Sequence, residues 1–472
     1  MNMRKIKYVR EEIALIERLV NGTPRYYKIV QNEVDNSAAI LKKAFTKGFD
    51  AWILTRKLEI KDEVKSKSFT LTRGNNLVII KDFFVANRSE RIRRGLAPLS
   101  AIKVNVNEMR GSKEHSSTAF FKTFIPISKD FKWHSIFDDD VIDLDTGKSV
   151  HGLLTVKVDN ISLDLYSFKH NSKNYLVLEA TTEIDLETFD NYCWSTLIAV
   201  AFINGQLWQG DQFYFSYQDM DMKVFDTWSY VRRRNSITSI YPAITSNPHS
   251  WMKDSDDADQ YNDGSLVNIG STPLSKLCQW VHDKDMHKSI ALLIIESKSA
   301  SLLLMPAGFA IAIEGLATLF ELKEGEKVKP ISNKARGVEF VNKLLQVLND
   351  YDDDEHFVGK KILRTNIMQN VNRATNRERL LIPFNLLGIE ISQDDRMALD
   401  YRNDLLHGNV ILEPIVRKKY EMNTTELSMR LMTLANAIIM KNIGYNGRIL
   451  NHVKLQEQSM ERVIQEDHFR KI

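Results

Sequence analysis

The chain has 472 residues, of which 43% are hydrophobic and 26% are charged, and its net charge is +3. This length favours more than one domain, and the composition is that of an ordinary globular protein. The small net charge excludes nucleic-acid binding through bulk charge, so an RNA or DNA site would have to be a local basic patch. The two cysteines, Cys193 and Cys278, lie far apart in the sequence. Their number and separation exclude a disulfide framework and a thiolate zinc site.

The N-terminal residues and the longest apolar stretch bear on location. The first twenty residues are charged throughout and lack the apolar core of a signal peptide. The apolar stretch 299–313 contains Pro306, and it is shorter than the roughly twenty residues that a membrane span needs. We therefore expect this stretch to form a buried helix, and we expect a cytoplasmic protein without membrane contact.

The first three parts of the chain differ in pattern. Residues 1–60 have apolar residues three and four positions apart, which predicts a mixed, mainly helical segment. Residues 61–235 contain β-branched and aromatic runs separated by Gly, Asn and Asp turns. This pattern predicts a β-rich sensing or regulatory domain resembling an antiparallel sandwich or jelly roll. Residues 236–274 are polar and acidic, and we expect them to form a linker or loop.

The last part, 275–472, has the apolar periodicity of helices and predicts an all-α domain, so the fold class is α+β with several domains. Pro383 and Pro414 fall between periodic segments, where they can separate helices without breaking them. The predicted helices are 274–297, 301–321, 333–350, 359–371, 392–407 and 423–443.

The segment SQDDRMALDYRNDLLHGN, residues 392–409, contains the strongest candidate site. Ser392 followed three residues later by Asp395 is a variant of the capping box, and Gly408 is suited to end the helix. Within this helix Asn403 and His407 are four residues apart and share a face.

Arg402 precedes His407 by five residues, and two other arginine–histidine pairs in the chain have a separation of five or six residues. These are Arg110 with His115, in a loop between strand signals, and Arg462 with His468, in a charged C-terminal segment. Neither arginine is followed by an amide side chain or surrounded by an apolar bundle. Context, and not spacing, therefore favours Arg402 and His407.

Three segments together resemble the Apea-like HEPN family of bacterial defence proteins. They are YRNDLLHGN at 401–409, LANAIIMKNIGYNGRILN at 434–451 and AIAIEGLATLF at 310–320. The first has the arginine and histidine of the HEPN ribonuclease motif. The second is similar to the helix, the Gly-Tyr-x-Gly turn and the final asparagine that close this module. The resemblance covers roughly residues 275–455, and its closing helix is more polar than is usual in the family because it contains Lys441 and Asn442.

The resemblance implies a metal-independent endoribonuclease that works as a homodimer, needs no cofactor and acts in antiphage defence by abortive infection. RNA, with tRNA as one candidate, would be the substrate, and a phage-derived trigger would be a further partner. The products would have 2′,3′-cyclic phosphate and 5′-hydroxyl ends. Arg402, Asn403 and His407 would be catalytic, and Glu314 would orient Arg402 from a neighbouring helix.

These residue types suit the cleavage of RNA by its own 2′-hydroxyl. A histidine titrates in the range needed to remove or deliver a proton. The arginine offers a permanently charged planar fork for the scissile phosphate, and an asparagine can orient either group by hydrogen bonding. A neighbouring basic segment predicts a track for the RNA backbone. Its members are Lys360, Lys361, Arg364, Arg373, Arg377 and Arg379.

Other interpretations of the same residues stay open. The bundle could be a non-catalytic scaffold that binds RNA or protein as a dimer, or the chain could be the toxin of a toxin–antitoxin pair. Arg402 and His407 could form a surface ion pair and a helix-end cap, and the basic segment could be a solvated helix face. The acidic run 352–356 lacks the turn glycine of a calcium loop, and we interpret it as a solvated connection.

Overall fold

The computed structural model describes residues 5–6, 10–20, 25–30, 38–43, 48–55, 68–73, 75–91, 99–127, 135–138, 140–144, 149–170, 173–252, 255–351, 359–406, 422–460 and 462–472. Two compact units divide the chain. The sheet unit comprises Met1–Thr238 and Asn268–Asp285, and the helical unit comprises Ser239–Val267 and Met286–Ile472. The fold is therefore α+β, with a large, mainly antiparallel sheet in the N-terminal half and helices in the C-terminal half.

The strands belong mainly to the sheet unit. They are β1 (Lys5–Ile6), β2 (Arg25–Val30), β3 (Ala38–Lys43), β4 (Phe49–Thr55), β5 (Phe69–Arg73), β6 (Asn76–Arg91), β7 (Leu99–Arg110), β8 (Phe120–Ile127), β9 (Asp140–Leu144), β10 (Ser149–Val158), β11 (Ile161–His170), β12 (Lys173–Ala180), β13 (Gln206–Leu207), β14 (Asp211–Tyr217), β15 (Phe225–Arg232), β16 (Ile237–Thr238), β17 (Arg448–Leu450) and β18 (Phe469–Lys471).

The helices lie mainly in the C-terminal half. They are α1 (Arg10–Val20), α2 (Leu186–Asn204), α3 (Ser255–Asp259), α4 (Ser271–Asp283), α5 (Asp285–Ser297), α6 (Met305–Glu324), α7 (Lys334–Asn349), α8 (Lys360–Asn370), α9 (Asn376–Leu387), α10 (Gln393–Leu406), α11 (Thr424–Asn442) and α12 (His452–Leu455), with short 3-10 turns at Pro248–Ser250, Gly325–Val328 and Glu457–Ser459.

The large sheet is continuous, and the predicted sandwich or jelly roll is wrong. Its strand order is β1-β9-β10-β11-β12-β8-β14-β15-β7-β4-β3-β2-β5-β6, and β6 pairs again with β7. This second pairing closes β7, β4, β3, β2, β5 and β6 into a ring. Val106 of β7, for example, pairs with Phe49 of β4 on one side and Phe83 of β6 on the other. Because β6 has register irregularities near Asp82 and Asn87, it can bend enough to close the ring.

Residues 1–60 contribute strands to this ring, so the prediction of a mainly helical segment is wrong. Their described part contains α1 and the strands β1 to β4. Ile13 and Ile16 of α1 are buried in the core of the sheet unit, as their helical spacing predicts. These strands are short, and β2 and β4 also pair with β5 and β7 further along the chain, which local periodicity cannot indicate.

The described part of the sheet unit also contains α2, which the sequence analysis did not predict, and α4, which it predicted as the first part of a longer helix. α2 begins at the cap Asp185, whose side chain accepts a hydrogen bond from the Thr188 amide, and ends at Gly205 in a left-handed conformation. α4 packs against α2 and β10. The predicted helix 274–297 is therefore two helices, because Lys284 adopts an extended backbone between α4 and α5. The predicted linker also contains a strand and helices.

In the helical unit, α6 and α11 form the centre of the bundle, with α9 and α10 packed against them. α11 is buried without interruption from Glu426 to Met440, which is typical of a central helix. α6 begins with Pro306 in its first turn, a position where proline is well tolerated. Among the described residues, α6 alone is long and apolar enough to cross a membrane, but many buried core helices share this property, so it is weak support for a span.

Pro383 lies inside α9, and the prediction that it separates helices is wrong. A capping box starts this helix, because Thr375 and Glu378 exchange side-chain and backbone hydrogen bonds. Leu380 and Phe384 are buried on either side of the proline. Proline removes one helical hydrogen bond, and the cap and this packing offset that cost.

Candidate functional site

The helix that contains the motif starts as the sequence predicts. The Ser392 amide donates to Asp395 at 3.0 Å, and the Asp395 amide donates to the Ser392 hydroxyl at 3.1 Å. This reciprocal capping box confirms the predicted start of α10. α10 is described to Leu406, so it includes Arg402 and Asn403. The Asn403 side chain, His407 and Gly408 lie outside the described residues.

Arg402 forms an ion pair with Glu314 of α6. The Arg402 Nη2 donates to Glu314 Oε1 at 2.5 Å. Arg402 is 5% exposed, whereas the side chain of Glu314 is 35% exposed, so the carboxylate side of the pair meets solvent. The structure therefore brings together two of the residues that the sequence analysis selected, and the contact fixes the orientation of the guanidinium.

Glu314 belongs to a polar stripe along α6 that continues through Thr318 to Glu321. At 1.5 Å per residue the two glutamates are about 10 Å apart along the helix. Arg379 of α9 donates to Glu321 at 2.9 Å and to the Thr318 hydroxyl at 3.4 Å. Acidic and basic side chains thus line the boundary that α6 shares with α9 and α10. Sequence analysis missed Glu321, although its seven-residue spacing from Glu314 places both on one helix face.

The predicted basic track divides into residues with different surroundings. Arg379 is bound to Glu321, and Arg377 pairs with Asp400 at 2.9 Å. These two arginines therefore join helices through acidic partners. On α8, Lys361 and Arg364 are exposed, while Lys360 is half-buried.

Arg373 lines a cleft of about 520 Å³ in the helical unit. Lys329 and Lys334 line the same cleft, and Glu321 lies 3.7 Å from the Arg373 Nε. Three basic side chains against one acidic side chain leave a local positive charge. Sequence analysis did not include the two lysines, because they lie about forty residues before Arg373 and reach it only through the fold.

A buried ion network holds the first turn of α10. Arg430 of α11 is fully buried and donates to Glu426 at 2.8 Å, to Glu466 at 2.6 Å, to Asp394 at 3.0 Å and to Asp395 at 3.3 Å. Burial by itself would lower the pKa of Arg430, but these carboxylates outweigh it and raise the pKa. Arg430 therefore stays charged and joins α10 to α11 and to the C-terminal segment.

Two arginines of the C-terminal segment complete this network. Arg462 donates to Asp394 at 2.6 Å and to Glu426 at 2.5 Å, and Arg470 lies 2.8 Å from Asp395. These contacts give Arg462 a structural role. They agree with the choice of Arg402 and His407, and not Arg462 and His468, as the candidate pair.

The segment that follows α11 forms a tight turn. Gly444 has a φ of +80°, a conformation that suits glycine. A Cβ atom at position 447 would lie 2.4 Å from the hydroxyl oxygen of Tyr445, so only glycine fits there. Tyr445 donates to the Val267 carbonyl at 2.7 Å, and Asn451 donates to Glu466 at 2.8 Å. The Gly-Tyr-x-Gly turn and its asparagine thus position the C-terminal segment.

The alternative histidine His115 is bound inside the sheet unit. Its Nδ1 lies 2.8 Å from the Ser216 hydroxyl, and its Nε2 lies 2.9 Å from the Ser229 hydroxyl. Burial lowers the pKa of His115 to about 4, so the ring is neutral at pH 7. This environment is that of a satisfied structural histidine.

Over the ranges given above for the described chain, no group of three or more His, Cys, Asp or Glu side chains could hold a metal ion. The acidic run 352–356 lies outside those ranges. Comparisons with protein-family models, with curated proteins and with solved structures find no match to this chain.

Proposed function

We propose that the protein is a metal-independent HEPN endoribonuclease of the Apea-like kind, acting in antiphage defence by abortive infection. The observation that carries the proposal is the ion pair between Arg402 and Glu314. It holds the motif's arginine in one orientation on a helix whose first turn is clamped by the Arg430 network. Catalytic groups need such fixed support from rigid elements.

In the proposed reaction the 2′-hydroxyl of a ribose attacks the adjacent phosphate, and the bond to the 5′-oxygen of the next nucleotide breaks. His407 takes or delivers the proton, and Arg402 stabilises the charge that develops on the phosphate. Asn403 orients the histidine or the phosphate. The products have a 2′,3′-cyclic phosphate and a 5′-hydroxyl, and no water or metal enters this step.

The exposed cations Lys361 and Arg364, with the cleft around Lys329, Lys334 and Arg373, supply the proposed contacts to the RNA backbone. Such contacts add affinity through the release of counterions, so binding should weaken steeply as salt is raised. Arg377 and Arg379 have a smaller part in this proposal than the sequence indicated, because each pairs with an acidic residue.

Cleavage is expected to create new 5′-hydroxyl RNA ends in cells that express the wild-type chain. The ends should be absent with His407→Ala, because the proton-transfer group is lost. Ligation-based sequencing of 5′-hydroxyl ends measures this directly and reveals the substrate. His249→Ala, an exposed histidine of the helical unit, is the matched control and should give the wild-type set of ends. Equal ends from His407→Ala and wild type would contradict the proposal.

Saturating EDTA is expected to leave cleavage of a short unstructured RNA largely intact. The nucleophile is the RNA's own hydroxyl, and the charge on the phosphate is met by an arginine, so this mechanism does not require a Lewis acid. The measurement is the cleavage rate with and without EDTA on an RNA whose folding does not depend on Mg²⁺. Complete loss of activity that one specific divalent ion restores would contradict metal independence.

Two protomers are expected to share one active site. Intramolecular cleavage benefits from one group that removes a proton and another that supplies one, and each motif contains a single histidine. A two-fold axis beside α10 would place two copies of His407 at one phosphate. A mixed dimer of wild-type and His407→Ala chains, purified through two tags, should therefore lose most of its activity. Half of the wild-type activity would indicate two independent sites and contradict the shared site alone.

A second candidate function is a non-catalytic scaffold that binds RNA or protein. The observation that favours it is the low exposure of Arg402, since the same pair with Glu314 also joins α6 to α10. A scaffold predicts RNA binding without cleavage and no effect of His407→Ala on either. The toxin of a toxin–antitoxin pair predicts in addition that expression without a partner stops growth.

A further inference from the structure

An apolar stripe follows α7 and faces solvent. Phe340, Leu344 and Val347 belong to α7, and Tyr351 lies two residues past its end at Asn349. The four residues are spaced by four, three and four positions, and because the backbone of Asp350 is still helical they lie within about 60° of one another around the helix axis. Phe340 is 45% exposed, Val347 is 55% exposed and Tyr351 is 50% exposed. Among its own residues α7 buries Leu348 and Gly337. A surface helix normally buries its apolar stripe, so this one has the character of an interaction surface.

The spacing of the stripe is the same in both directions. When two copies of α7 lie antiparallel about a two-fold axis between Leu344 and Val347, Phe340 of each copy meets the partner's Tyr351. In the same arrangement Leu344 of each copy meets the partner's Val347. A two-fold interface duplicates every contact, so it requires a surface that is complementary to itself. The stripe meets that requirement for antiparallel helices.

The charges beside the stripe favour the same arrangement. The first turn of α7 has Lys334 and Arg336 and no acidic residue, and Asp350 caps its last turn, which has no basic residue. These charges oppose the helix dipole, which prefers acids at the start and bases at the end. In the register above, the partner's Asp350 lies opposite Val341, about 8 Å along the axis from Arg336 and about 11 Å from Lys334. An antiparallel copy therefore turns the acidic end of one helix toward the basic end of the other.

One charge pair follows from the register. Lys343 and Asp350 lie on the same flank of the stripe, and in the antiparallel pair each Lys343 faces the partner's Asp350 within about 3 Å along the axis. Within one chain Lys343 pairs with Glu339 at 2.7 Å, an exposed pair of the kind that contributes little stability. The partner's Asp350 can therefore compete for Lys343.

We propose that α7 is a docking surface for a second copy of this chain, bound antiparallel through Phe340, Leu344, Val347 and Tyr351. This interface uses a different helix from the two-fold axis proposed beside α10, and it stands whether or not the chain cleaves RNA. Because α7 is about 24 Å long, the contact is at the small end of specific interfaces, and the dimer is expected to dissociate on dilution.

The first test is the oligomeric state of the full chain over a dilution series, measured by sedimentation velocity. Val347→Glu should raise the dissociation constant about tenfold or more, because it places two carboxylates in the apolar contact. Val463→Glu is the matched control, since Val463 is 70% exposed and belongs to the C-terminal segment of the same unit. If the two-fold contact beside α10 also forms, the wild-type chain should assemble beyond a dimer and Val347→Glu should stop at the dimer. A wild-type chain that stays monomeric at all concentrations, or a Val347→Glu chain whose assembly states match those of the wild type at every concentration, would overturn the proposal.

The charge pair gives a test that is specific for the antiparallel register. Lys343→Asp and Asp350→Lys should each weaken the dimer, because each sets like charges opposite one another. A mixture of the two variants should recover dimerisation, since the mixed dimer has an attractive pair at both contacts. Failure of the mixture to recover, with both single variants folded by circular dichroism, would contradict this register.

Cross-linking separates antiparallel from parallel pairing. The native Cys193 and Cys278 are buried, so background disulfide formation should be low. Phe340→Cys chains should cross-link to Tyr351→Cys chains and not to one another, because the two Phe340 positions lie about 16 Å apart along the antiparallel axis. Efficient cross-linking of Phe340→Cys with itself would replace the proposed arrangement with a parallel one.

Discussion

Arg402→Ala and His407→Ala are each expected to reduce RNA cleavage by about 10²–10⁴-fold while the protein stays folded. Arg402 holds the phosphate and His407 transfers the proton, so both act on one transition state. Their losses should not add, and the double variant should be about as inactive as either single variant. Asn403→Ala should have a smaller effect. The measurement is the single-turnover rate on a labelled RNA, together with the melting temperature.

Two further variants distinguish the chemical role of Arg402 from the role of Glu314 in positioning it. Glu314→Gln removes the charge beside Arg402 and keeps an oxygen that can accept its hydrogen bond, so its rate should fall between that of the wild type and that of Arg402→Ala. Arg402→Lys keeps the positive charge without the planar fork and should remain strongly impaired. Normal cleavage by His407→Ala at an unchanged melting temperature would show that the site is assigned to the wrong residues.

Arg430→Ala is expected to lower the free energy of unfolding of the helical unit by about 3–5 kcal/mol. The substitution removes the guanidinium that the buried carboxylates of Glu426 and Asp395 share, so Glu426 keeps Arg462 and Asp395 keeps Arg470 as the remaining arginine partner. It also releases the first turn of α10 from α11. Urea unfolding followed by circular dichroism gives the change in free energy, provided that the two units are fitted as separate transitions.

Arg377→Ala is the matched control for this prediction. Arg377 also pairs with a residue of α10, Asp400, but its own side chain is mostly exposed to solvent. Removing an exposed pair should cost about 0–1 kcal/mol. Equal destabilisation of the helical unit by Arg377→Ala and Arg430→Ala would show that the buried network around Arg430 stabilises this unit no more than an exposed ion pair does.

The helices of the C-terminal half were largely predictable, because their signals are local. Ser392 and Asp395 form the capping box that starts α10, and the periodic segments at 333–350 and 423–443 correspond to α7 and α11 within a residue at each end. A cap or an apolar stripe involves residues three or four apart, so the sequence displays it directly.

Elements that depend on distant packing were not predictable in this way. Local periodicity indicated helices in residues 1–60, whereas pairing with β7 and β5 turns most of the described part into strands. Pro383 suggested a break between helices, but the buried neighbours of the proline keep α9 continuous. The extended backbone of Lys284 likewise divides one predicted helix into two that belong to different units.

The sequence by itself determined where the candidate motif lies and that its arginine sits on a capped helix. Only the tertiary structure decided what surrounds it. Glu314 is 88 residues from Arg402 in the chain, and the acids around Arg430 come from three separate segments. A charged side chain in a folded interior is governed by whichever partners the packing brings within a few ångströms, because electrostatic interactions strengthen as water is excluded. Sequence spacing describes neighbours along a helix, and it does not contain these distances.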